Sequence, residues 1–110
     1  MKIWRWVLMA ALATALLTGC GILQPSLTVI NNSSYTITQL SLTNQSSASI
    51  VEPDDVNIPS GSTYVIESVW AGTYVLYAED AEGYWERPDF VLQRGRDSAW
   101  TLYNGDRKPF

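Results

Sequence analysis

The sequence contains no histidine and a single cysteine, Cys20, among 110 residues. No intramolecular disulfide can form. Zinc sites of Cys/His type cannot be assembled, and neither can Ser-His-Asp or Cys-His catalytic machinery. Basic residues are scarce, with seven Lys and Arg against eleven Asp and Glu. No basic stripe with interleaved aromatics offsets the formal net charge of −4, which excludes a nucleic-acid partner. An apolar run of membrane-spanning length is also missing. The longest, Val7 to Leu17, is broken only by Thr14. As a helix it would extend about 16 Å, against a bilayer core of about 30 Å.

That run has instead the length of a secretory core region, and Lys2 and Arg5 precede it as a positively charged head. It ends in Leu17-Thr18-Gly19-Cys20. This resembles the lipobox of bacterial lipoproteins, with Leu at −3, a small residue at −2, Gly at −1 and Cys at +1. The resemblance implies cleavage by signal peptidase II between Gly19 and Cys20. It also implies a diacylglyceryl group on the Cys20 thiol and a further acyl chain such as palmitate on its freed amine. One acyl chain binds a membrane marginally, whereas two or three hold it durably. An ordinary secretory peptide followed by a chance cysteine is the plainer alternative. Four positions, the apolar run and the lone cysteine favour the lipobox. Gly21 follows, where Asp tends to retain such proteins at the inner membrane. The implied location is the cell envelope, with the periplasmic face of the outer membrane ahead of the inner membrane.

This divides the chain into a signal-peptide helix at 1–19, the lipidated Cys20 with a short tether at 20–26, a folded domain at 27–104 and a polar tail at 105–110. Loss of Lys2 and Arg5 leaves five basic against eleven acidic residues, a net charge of −6. Three Trp, six Tyr and two Phe remain, enough for one small core.

From Leu27 onward the pattern has period two. Strands are expected at Leu27–Ile30, Tyr35–Thr43, Ile50–Val51, Thr63–Trp70, Thr73–Glu79, Tyr84–Leu92 and Ser98–Tyr103. A change of parity between Ile37 and Leu40 suggests a bulge near Thr38-Gln39. Pro88 demotes its strand to a sheet edge or splits it. About seven strands with frequent turns predict an all-β fold, a small antiparallel β-sandwich. The stretch Pro59-Ser60-Gly61, Ala71-Gly72-Thr73-Tyr74-Val75-Leu76 and Glu82-Gly83-Tyr84 resembles the rhythm of transthyretin-like and carboxypeptidase-regulatory-like sandwiches. It covers about 30 residues and transfers no functional residues. Phe110 invites comparison with outer-membrane barrels, but most of these strands fall short of the roughly 9–11 residues a barrel needs, Pro88 interrupts one of the longer ones, and Arg107-Lys108-Pro109 precede Phe110 in place of a strand.

Candidate sites are few. Trp70, Tyr84 and Trp85 lie beside turns and form a possible binding surface for a protein or a sugar ring, with core packing as the bland alternative. Trp100 reads as core. Glu79, Asp80, Glu82, Glu86 and Asp89 crowd one hairpin, and Asp54 and Asp55 another loop. Solvated turns explain them better than a calcium site or a glycosidase carboxylate pair. Arg87, Arg94 and Arg96 are expected to pair with nearby carboxylates. No metal site, cofactor or catalytic residue is assigned. The sequence thus predicts a lipid-anchored, non-enzymatic interaction module whose partner is an envelope protein. A carbohydrate- or peptidoglycan-binding module is the alternative, and a small envelope enzyme a third reading.

Overall fold

The alternation of β-branched and aromatic residues with polar ones, punctuated by Asn, Ser, Gly and Pro, sets up short strands. The computed structural model describes residues 24–110 and contains eight strands among them. They are β1 (Leu27–Asn32), β2 (Gln39–Asn44), β3 (Ile50–Val51), β4 (Thr63–Ile66), β5 (Gly72–Glu79), β6 (Gly83–Leu92), β7 (Ser98–Tyr103) and β8 (Lys108–Pro109). The expected signal-peptide helix, the Gly19–Cys20 cleavage point and Cys20 itself lie outside the described residues.

Two sheets form, one ordered β4-β1-β7 and the other β3-β2-β5-β6-β8. Their inner faces supply the core. Leu27, Val29, Trp100 and Leu102 come from the first sheet, and Leu40, Leu42, Tyr74, Leu76, Ala78, Trp85 and Leu92 from the second. Each fully buried aliphatic or aromatic side chain contributes roughly 1.5–3 kcal/mol of transfer free energy. The expected sandwich is present, with one difference in pairing. β1 and β7 run parallel in register from Leu27↔Ser98 to Asn32↔Tyr103. Parallel neighbours cannot be joined by a tight hairpin, so these strands come from opposite ends of the domain sequence.

Local departures from the expected strands have visible causes. The second strand begins at Gln39, not Tyr35. Ile37 instead makes an isolated bridge to Ile58, and Asn31 holds the preceding loop. Fully buried, Asn31 donates from Nδ2 to the carbonyls of Tyr35 and Ile58, and its Oδ1 accepts from the Ser33 amide. The parity change between Ile37 and Leu40 is therefore a break in the strand. The fourth strand stops at Ile66, short of Trp70, and Ser68 turns with φ of 56°. The bulge falls instead in β6. Its register against β5 shifts between Tyr74 and Leu76, where Asp89 has φ of 57°. That shift lets Trp85 and Leu92, of opposite parity, both face the core. Pro88 sits in the bulge beyond the stretch of β6 that pairs with β8, so its missing N–H breaks no ladder on that side.

Two segments expected to be free are docked. In the tether, Pro25 is buried, its carbonyl accepts from the Val69 amide, and the Ser26 carbonyl accepts from the Ser98 amide. In the polar tail, Asn104–Asp106 form a 3-10 turn, and β8 pairs with β6 through Gly83↔Pro109 and Tyr84↔Lys108. The molecule therefore has an entry end, where Pro25 leads into β1, and a far end, which carries the β5–β6 turn and the C-terminal segment.

Candidate binding groove between the sheet edges

On one side of the sandwich, β7 is the edge of its sheet, and β6 is covered by β8 only at Gly83 and Tyr84. The Trp85 indole spans the gap and donates from Nε1 to the Tyr103 carbonyl at 2.7 Å. A groove of about 780 Å³ opens over this junction. Trp85, Glu86 and Arg87 line it from β6, and Ala99, Trp100, Thr101 and Tyr103 from β7. The C-terminal segment closes its far end with Asp106, Arg107 and Lys108. Trp85 and Trp100 belong to the floor, since only 1% and 5% of each is exposed. Tyr103 is the exposed ring.

The wall made by the C-terminal segment depends on one ion pair, the only one among the described residues. Asp80 opens the β5–β6 turn and points its carboxylate inward, where Oδ1 accepts from the Glu82 and Gly83 amides at 2.7 and 2.9 Å. Arg107 then donates Nε to Oδ2 at 2.7 Å and Nη2 to Oδ1 at 2.9 Å. The guanidinium beside Asp80 holds its carboxyl below the usual carboxylate range, with the backbone amides helping and burial opposing. The Arg107 Cζ also lies 3.8 Å over the Tyr35 ring, whose edge meets Trp85 at a centroid distance of 6.5 Å.

The residues expected to make one binding surface do not meet. Trp85 is core, held there by the inward parity of β6 and by its indole hydrogen bond, and is withdrawn from the surface. Tyr84 faces outward, but its ring is stacked between Tyr77 at 5.7 Å and Phe110 at 5.8 Å, so both faces are covered. Trp70 is 71% exposed, yet it precedes β5, whereas Tyr84 and Trp85 follow it. The length of that strand, about 25 Å, separates them. Trp100 is core, as its pattern indicates.

The remaining charged candidates are also dispersed. The Arg87 Cζ sits 4.9 Å from the centroid of the Phe90 ring, while Arg94 and Arg96 are exposed in the turn before β7. Asp80 is engaged by Arg107, and Glu79 accepts the Tyr77 hydroxyl at 2.7 Å. No group of three Asp, Glu, Cys or His among the described residues is placed to hold a metal ion. Tyr103, Asp106 and Arg107 escaped the sequence reading. Arg107 and Asp80 are 27 positions apart, and no local pattern marks them as partners.

The fold places the chain among small two-sheet β-sandwiches. No family model matches it, and no curated protein does either. Among solved structures it is similar to the crystal structure of a "putative carbohydrate binding protein" from Bacteroides uniformis. The TM-score is 0.53 and the identity 14%, over 79% of this chain and 42% of that one. A likeness at this identity is one of fold, and the chain spans less than half of that protein's length.

Proposed function

We propose that this chain is a lipid-anchored, non-enzymatic binding module of the cell envelope, and that the β6–β7 groove takes a saccharide. The groove carries the reading. It presents one exposed ring, Tyr103, beside Glu86, Thr101 and Asp106, over a rigid floor of two indoles. Saccharide sites combine a ring that stacks on a sugar face with a few polar groups that bond its hydroxyls. The carbohydrate-binding description of the distant neighbour agrees with this ligand class. The anchor rests on the lipobox at Leu17-Thr18-Gly19-Cys20.

Retention on purified envelope polysaccharide and titration calorimetry test the ligand. Tyr103→Ala and Asp106→Ala, both at exposed positions, are expected to weaken binding at least tenfold while leaving the urea unfolding midpoint unchanged. Retention equal to wild type in both variants would remove the groove. Absence of retention by the wild-type protein would remove the saccharide. Cys20→Ser, followed by fractionation, tests the anchor.

A second reading draws on the position of β7, which among the described residues pairs only with β1 and leaves its other edge to the groove. Such an edge can accept an added strand from a protein partner. Protection of alternate β7 amides from hydrogen exchange on binding would identify that mode.

A further inference from the structure

We propose that the entry end of the sandwich rests directly on the bilayer surface, with Trp70 as its interfacial contact. This rests on the proposed lipid anchor at Cys20. The Pro25 carbonyl is tied to the Val69 amide, so the body of the domain begins five residues after Cys20. Five residues span at most about 18 Å even when fully extended. The anchor therefore keeps this end, and no other, close to the headgroups.

The loop next to that tie carries the exposed indole. Val69 is buried beneath it, and the Tyr74 hydroxyl donates to the Trp70 carbonyl at 2.8 Å, fixing the loop to the core. A large apolar ring held outward on a fixed loop suits the membrane interface, where tryptophan is enriched because one part of it is apolar and one part donates a hydrogen bond.

Charge favours the same orientation. The turn carrying Arg94 and Arg96 flanks the opposite side of the entry point, through the bonds of Ser26 to Ser98 and Asp97. Those two cations share this end with three acids, Glu67, Asp89 and Asp97, which leaves it close to neutral at a net charge of −1. Asp89 is itself held by Gln45, and Asp97 by Ser26. The far end gathers Glu52, Asp54, Asp55, Glu79, Glu82 and Asp106 against Lys108, in addition to the Asp80–Arg107 pair. An anionic leaflet repels that end most. In this pose the groove lies along the side and far end, open to the space above the membrane.

The test uses the acylated protein extracted from membranes and reconstituted into vesicles of phosphatidylethanolamine and phosphatidylglycerol. Lipids brominated high on their acyl chains should quench the tryptophan emission and shift the remainder blue. Trp70→Phe should abolish the quenching, since Trp85 and Trp100 are buried. Mass spectrometry of the Cys20 peptide accompanies the measurement. Acylated protein with unquenched emission, or equal quenching in Trp70→Phe, would overturn the contact and leave the anchor standing. A Cys20 peptide without acyl groups would overturn the anchor and the contact together.

Discussion

Arg107 closes on Asp80 through two bonds, Nε to Oδ2 at 2.7 Å and Nη2 to Oδ1 at 2.9 Å, and so fastens the C-terminal segment to the β5–β6 turn. Asp80 is 3% exposed, and every contact its carboxylate makes is to a donor that the fold supplies. Replacing it by Asn keeps an oxygen for the turn amides but removes the charge facing Arg107. Asp80→Asn should destabilise the domain by about 2 kcal/mol, the scale of a hydrogen bond to a charged group. Urea denaturation followed by tryptophan fluorescence measures this.

The same pair makes stability depend on acid. Its Arg107 partner depresses the Asp80 carboxyl in the fold, while in the unfolded chain that carboxyl titrates near 4. The contribution is therefore complete above that range and is lost as pH falls through it towards the depressed value. The difference in urea midpoint between wild type and Asp80→Asn should be full at pH 7 and shrink at pH 3. An equal gap at both values would contradict the linkage.

Tyr77 provides the alkaline counterpart. Burial first, then its hydrogen bond to Glu79, pushes its phenol up to about 12. Unfolded, it ionises near 10. Its protonated form thus stabilises the fold below about pH 10, and that contribution fades as pH rises towards 12. Spectrophotometric titration should show one phenol ionising late, and Tyr77→Phe should remove that step.

Gly83 is required by what lies on it. A Cβ there would stand 2.6 Å from both the Arg107 Cζ and the Lys108 carbonyl. Gly83→Ala should lift β8 and cost about 1–3 kcal/mol, the scale of overpacking. The Phe110 amide, which donates to the Glu82 carbonyl, should exchange faster with solvent in this variant.

Strand existence was legible wherever one face is buried and the alternation is unbroken, as along Thr73–Glu79, where Tyr74, Leu76 and Ala78 are inside. Extent was not legible where a side chain competes with the ladder. Asn31 captures the loop at Tyr35, and Gln45 holds the Asp89 bulge through reciprocal bonds of 3.1 and 2.8 Å. The expected binding surface failed for a similar reason. Tyr84 and Trp85 are adjacent in sequence but project to opposite faces of one strand. Whether an outward ring is free then depends on Phe110, which arrives from 26 residues away.

The order of amino acids alone determined the strand periodicity, most of the turn positions, the absence of histidine chemistry and the signature around Cys20. Those properties are local or compositional, so neighbouring residues suffice to read them. Tertiary structure alone decided that β1 and β7 run side by side, that Arg107 meets Asp80, and that Trp70 stands at the end where the chain enters. Each of these joins distant positions, and proximity in space is set by which faces the core buries together.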